Sequence, residues 1–193
     1  MKTLLFILSM NLFFLGCYSD SPESIPDPDY VYNDLRIAIR DDPTIIIMGD
    51  SRADFGGTWD ALPYTVINAG AAGSTSIGII LRLGYIAYYH PSHVFIFTGV
   101  NDARKITSDQ LDDNLNIIID FCDSLDVKIL ILDITVIPDF SSDEFEENRI
   151  VMSAHDNYLP INYSSADFVD EVHLSSDGYV TVSNSIINFM EKK

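Results

Sequence analysis

Cysteine is scarce: Cys17 and Cys122 are the 2 in a chain of 193 residues. Two thiols cannot build a disulfide framework or a four-thiolate metal site. Cations are scarce too, with 11 Lys and Arg against 29 Asp and Glu and a formal charge of −18. A nucleic-acid binder replaces condensed counterions with clustered cations, so that class is excluded. What the chain does have is apolar material, 47% hydrophobic and 11% aromatic, which is enough for a proper core. The length suits one domain with a tail.

The tail comes first. Met1–Gly16 reads MKTLLFILSMNLFFLG, one early cation and then an apolar run. That run is too short for a stable bilayer anchor and suits the h-region of an export signal. It closes on Gly16-Cys17, ahead of the polar stretch YSDSPESIPDPD. A small residue directly before a cysteine resembles a bacterial lipoprotein signal, in which cleavage leaves Cys17 as a lipid-bearing N-terminus. Phe14 and Leu15 depart from that pattern, which has Leu and a smaller residue there. The other reading is an ordinary secretory signal that contains a cysteine. Residues 17–30, with their acids and prolines, read as a tether, and residues 31–193 as the folded domain. Removing residues 1–16 takes away one cation, so the domain stays too acidic to lie on anionic headgroups. Membrane contact is expected through the lipid only. Localisation is therefore expected outside the cytoplasm of a bacterium, facing the periplasm or the cell exterior.

Within the domain, Thr44–Met48 is a continuous apolar run, as a central strand covered on both faces requires. Similar runs fall at Tyr64–Ile67, His93–Thr98 and Val127–Leu132. Helical spacing fills the intervals Ser74–Tyr89, Thr107–Leu125, Ser142–Tyr158 and Ser175–Met190, with Thr107 or Ser108 as the second helix's N-cap. Alternating strands and helices predict a three-layer α/β/α domain around a mostly parallel sheet. Cys122 falls on the apolar face of its helix and reads as core.

Ligands of such sheets bind beyond the carboxyl ends of the strands. The segments there are Gly49-Asp50-Ser51, Asn68-Ala69-Gly70-Ala71-Ala72-Gly73 and Gly99-Val100-Asn101-Asp102, with Asp170-Glu171-Val172-His173 before the last helix. A serine at a strand–helix turn is a nucleophile if a base takes its proton. His173 is suited to that task, and Asp170 can hold the other imidazole nitrogen. The N–H groups of Ser51 and Gly73 and the Asn101 amide can stabilise an oxyanion. Taken singly, each has a plainer reading: Ser51 a helix cap, Asn101-Asp102 a turn, His173 a structural histidine.

Taken in order, these segments resemble the blocks of the SGNH (GDSL-type) hydrolases. Gly49-Asp50-Ser51 matches the first block, Asn68–Thr75 the second, Gly99–Asp102 the third and Asp170–His173 the fifth. The resemblance implies a flavodoxin-like fold, a catalytic domain over 31–193 and an acyl-serine intermediate. It assigns Ser51, His173 and Asp170 to catalysis, and Ser51, Gly73 and Asn101 to the oxyanion hole. Arg52 departs from the family, which has an apolar or small residue there. It is expected to reach toward the acyl or leaving-group site, against long-chain lipase preference. Leu174 replaces a frequent Pro and still fits a helix entry.

The expected substrate is a small-molecule or glycan acyl ester, with water or a sugar hydroxyl as acceptor; a silent surface-binding lipoprotein is the alternative from another class. No cofactor or metal is expected. Gly70-Ala71-Ala72-Gly73 lacks the third glycine of a dinucleotide loop and the lysine of a P-loop, and His90, His93 and His155 lack ligand spacing. The chain leaves oligomeric state open.

Overall fold

The computed structural model describes residues 36–134 and 143–192. The stretches expected to be an export signal and a tether, Cys17 and the segment 135–142 lie outside the described residues.

The apolar runs become strands because both of their faces are covered. In β2 (Asp41–Gly49) the side chains of Ile45, Ile46, Ile47 and Met48 are all fully buried. β3 (Tyr64–Gly70) and β4 (His93–Phe97) flank β2, one on each side and both parallel to it. β5 (Lys128–Leu132) continues beyond β4, and the two-residue β6 (Tyr158–Leu159) ends the sheet. A short antiparallel strand, β1 (Arg36–Ala38), lies against the other edge of β3. The order is β1-β3-β2-β4-β5-β6, so β2 stands where the winding reverses. In an open parallel sheet that reversal opens the ligand crevice.

Residues alternate across the strands. Ile45, Ile47, Phe95, Phe97, Leu130 and Leu132 share one core with Trp59 and with Val182 and Ile186 of α6 (Ser176–Glu191). Ile46, Met48, Val94 and Ile96 alternate with these and so face the other side, fully buried as well. The helix α4 (Ser108–Ser124) buries Leu111, Leu115, Ile118 and Cys122. Thr107 caps it through a reciprocal box with Gln110. Burial pushes the Cys122 thiol up to about 12, so it stays protonated and inert. The three-layer α/β expectation is met.

Two local expectations are corrected, and one strand is new. The single helix expected over Ser74–Tyr89 is two short ones, α2 (Ser76–Ile80) and α3 (Gly84–Tyr89). Between them the Arg82 backbone N–H bonds Ile79 O rather than Gly78 O, which is taken by Arg82's own Nε. The helix expected over 142–158 ends early, as α5 (Asp143–Ser153), and Tyr158 instead enters the sheet. β1 was not foreseen, because three residues carry no period to read.

Candidate active site

Register brings the chemistry to one place. Gly49 pairs with Gly70 on one side and Phe97 on the other, so the segments that follow leave the sheet at one level. Gly49 has φ +137, and a Cβ there would lie 1.9 Å from Phe97 O, so only glycine lets β2 and β4 approach so closely. Asp50 then caps α1 (Ser51–Asp54), accepting from Arg52 N, and Ser51 sits at the first helical position.

Ser51 Oγ lies 3.0 Å from His173 Nε2. His173 Nδ1 lies 2.7 Å from Asp170 Oδ2. A carboxylate only accepts, so the proton sits on Nδ1 and Nε2 is free to accept from Ser51. The loop carrying both residues is held by its own backbone. Val169 N–H donates to His173 O at 2.9 Å, and Phe168 and Leu174 form an isolated antiparallel bridge. Asp170 Oδ1 accepts from the N–H groups of Val172 and His173 at 2.8 and 2.7 Å. Desolvation would raise the Asp170 carboxyl, but these two N–H groups and the imidazole hold it down, to about 2. Its side chain is nonetheless 53% exposed.

Opposite lies the loop after β3. Gly73 has φ +78, which favours glycine although its missing side chain faces open space. Ala72 N–H donates to Asp54 Oδ2, Ser74 N–H to Ala71 O, and Lys105 Nζ to Gly73 O. Among the described residues the N–H groups of Ser51 and Gly73 donate to none. Asn101 Nδ2 donates to Ser74 O at 3.0 Å, leaving its second N–H available. Thus Ser51, His173 and Asp170 form one hydrogen-bonded line, and Gly73 and Asn101 meet beside it through Ser74.

Some of the machinery escaped the sequence. Asp102 is fully buried and accepts from Ser76 N, Ser76 Oγ, Thr98 Oγ1 and Gly99 N, at 2.6 to 3.0 Å. It ties the Asn101 turn to both the end of β4 and the start of α2. Asn68 crosslinks the end of α1 to β3, donating to Ala53 O and Gly57 O at 2.8 Å each. Phe55, 57% exposed, sets its ring 5.3 Å from that of His173 and walls the cleft.

Arg52 is corrected. It is 2% exposed and turned inward. Its guanidinium pairs with both Asp50 oxygens, Nη2 to Oδ2 at 2.7 Å and Nε to Oδ1 at 3.1 Å. It also donates to Thr98 O and lies over the Phe97 ring, 5.2 Å from its centroid. Burial alone would lower it, but pairing with Asp50 holds it above its ordinary value. It braces the Asp50-Ser51 turn from within the protein instead of reaching outward. His155, just after α5, sets Nε2 2.9 Å from Asp112 Oδ1 on α4.

No family model matches the chain, and no curated protein matches it in sequence. Solved structures do match. The fold is that of GDSL-like lipases and esterases. A GDSL-like lipase from Bacteroides thetaiotaomicron aligns with a TM-score of 0.64 at 17% identity, over 77% of this chain and 88% of its own. The psychrotrophic esterase EstA from a Pseudoalteromonas species aligns at 0.63 and 20% identity, over 78% and 98%. An acetyl xylan esterase aligns at 0.66 and 18%, over 76% and 99%. At such identities the likeness speaks for the fold, and chemistry has to be argued from the side chains.

Proposed function

We propose that this chain is a serine esterase or deacylase acting on acyl esters. The observation that carries the reading is the line Ser51 Oγ–His173 Nε2–His173 Nδ1–Asp170 at the switch point of the sheet. His173 takes the Ser51 proton as Oγ attacks the ester carbonyl. The carbonyl π electrons move onto oxygen, and the N–H groups of Ser51 and Gly73 with the Asn101 amide receive the charge. The tetrahedral centre collapses and expels the alkoxide, which His173 protonates, leaving an acyl-serine. Water, deprotonated by His173, repeats the addition and releases the acid and free Ser51. Asp170 keeps the proton on Nδ1 throughout.

The aligned esterases support an ester substrate, and the acetyl xylan esterase among them favours a small acyl group on a glycan or other small molecule. We also infer export with a lipid on Cys17, resting on the Leu4–Gly16 run and the Gly16-Cys17 junction.

A fluorophosphonate, followed by mass spectrometry of the labelled peptide, tests the enzyme. The expected adduct is on Ser51, with turnover of p-nitrophenyl acyl esters falling as the chain lengthens. A folded protein with no adduct and no turnover overturns it. Fractionation of cells expressing the full chain or its Cys17→Ser variant tests the anchor; equal release of both into the soluble fraction overturns that.

A further inference from the structure

Among the described residues, Arg82 is an oddly placed cation. It is half-buried, and among the described residues its guanidinium bonds to no carboxylate. Its acceptors are neutral: Ala69 O, Gly49 O at 3.2 Å, Gly78 O at 2.8 Å and the Ser74 hydroxyl at 2.7 Å. Burying a cation against carbonyls is costly, and burial pushes the guanidinium below its ordinary value. It sits where the expected helix breaks into α2 and α3, its Nε on Gly78 O and its backbone N–H on Ile79 O.

Those acceptors have a common geography. Gly49 O belongs to the last residue of β2, immediately before Asp50 and Ser51, and also accepts Ala71 N–H at 2.9 Å. Ala69 O lies at the end of β3. Ser74 follows Gly73, and its carbonyl is the one held by Asn101. One guanidinium therefore joins the strand end that carries the nucleophile to the loop that carries Gly73. Ser74 is gripped twice, by its hydroxyl and by its carbonyl.

We propose that Arg82 is a positioning residue that fixes the loop Ala71–Ser74 against the end of β2, so that Gly73 N–H stays aimed at the oxygen on which charge develops. The proposal rests on the esterase reading for its consequence, though not for its geometry. A lysine cannot replace Arg82: its donors radiate from one atom and cannot span Gly49, Ala69, Ser74 and Gly78 together.

The test uses the full chain with Arg82→Lys, Arg82→Gln, Ser74→Ala and the double variant Arg82→Gln/Ser74→Ala. Rates are normalised to fluorophosphonate-titrated active sites. Displacing a donor by a fraction of an ångström to 1 Å costs up to about 10²-fold. Both Arg82 variants should therefore lose about 10- to 100-fold in kcat with KM within about threefold, since the donor matters only when charge has developed. Ser74→Ala should lose less. The double variant should lose no more than Arg82→Gln, because both changes remove one shared contact. Amide nuclear magnetic resonance supplies a second readout that needs no activity. The Gly73 signal should move in Ser74→Ala and in Arg82→Gln while Cys122, on the far helix, keeps its shift.

Normal kcat per active site in folded Arg82→Gln, or losses that multiply in the double variant, overturn the proposal. So does an unmoved Gly73 signal. If Arg82→Gln does not fold, Ser74→Ala decides, by the same kcat and Gly73 readouts. If the wild type neither hydrolyses esters nor takes the label, the esterase reading fails, and the Gly73 signal alone decides whether Arg82 holds the loop.

Discussion

The two halves of the site are built in opposite ways. Ser51, Gly73 and Asn101 leave three adjacent strands at one level and rest on buried polar groups, Asp50 with Arg52 and Asp102 with Ser76 and Thr98, and on the half-buried Arg82. Asp170 and His173 ride on an exposed loop held by its own backbone. On the proposed esterase function, the half with Ser51 has to present donors at fixed points before charge develops, which a crosslinked base does best. On the same proposal, the half with His173 and Asp170 has to trade protons with alcohol and water, and it is the exposed one.

The contrast is broken hardest at its centre. Ser51→Ala should remove turnover by about 10⁶-fold, the scale for a nucleophile in a comparable triad. A thermal melt should show the fold intact, since one hydroxyl at a helix start carries little of the core. Asp170→Asn comes next. A buried triad acid is worth about 10⁴-fold in kcat, and here water can partly stand in for a half-exposed carboxylate, so the loss should fall short of that. A loss equal to that of Ser51→Ala would mean the half with His173 and Asp170 is not the exposed partner described.

Arg52→Met tests the half with Ser51 through stability. It leaves Asp50 buried without its counterion, a change that costs about 3–5 kcal/mol and is read by chemical denaturation. A near-neutral result would mean that Asp50 is held by its cap alone. Asn101→Ala should lower kcat by about 10²–10³, or roughly 2.7–4 kcal/mol, with KM little changed. Near-normal kcat would move Asn101 out of the oxyanion hole and leave it as the clamp on Ser74.

The smallest effect is one of pH. The folded Asp170 carboxyl titrates near 2, below its ordinary 3.8, so its contribution to stability is complete above about 4 and is lost as pH falls toward 2. Melting temperatures of wild type and Asp170→Asn should differ most above pH 4 and converge near pH 2. Curves parallel over that interval would show that the carboxylate is not held by its N–H donors.

Much of this architecture is legible in the sequence. The strands announced themselves because a sheet covered on both faces needs unbroken apolar runs, as at Ile45–Met48. Ser51, Gly73, Asn101 and His173 stood out because each follows such a run or precedes the last helix. What stayed hidden is what turns inward. Arg52 and Arg82 are charged, so a pattern of apolar positions assigns them to the surface. Their burial follows from partners as far away as Thr98, 46 residues along the chain. Asp102 read as half of a turn; two of its donors, Thr98 and Gly99, are local, and the other two come from Ser76, 26 residues away, whose proximity only the fold establishes. Gly78 and Gly84 were a faint hint that the helix expected over 74–89 is broken.

The brevity of β1 and β6 has a consequence for association between chains. Among the described residues, the sheet's outer strands are three and two residues long. Beyond β1, Arg40 continues the cover on β3, its N–H donating to the Thr65 hydroxyl and its carbonyl accepting from it. A long, flat row of free N–H and C=O groups invites another molecule's strand and begins fibril growth. Among the described residues, β1 covers Val66, Ile67 and Asn68 of β3 and β6 covers Ile131 and Leu132 of β5, so each outer row is interrupted rather than long and continuous.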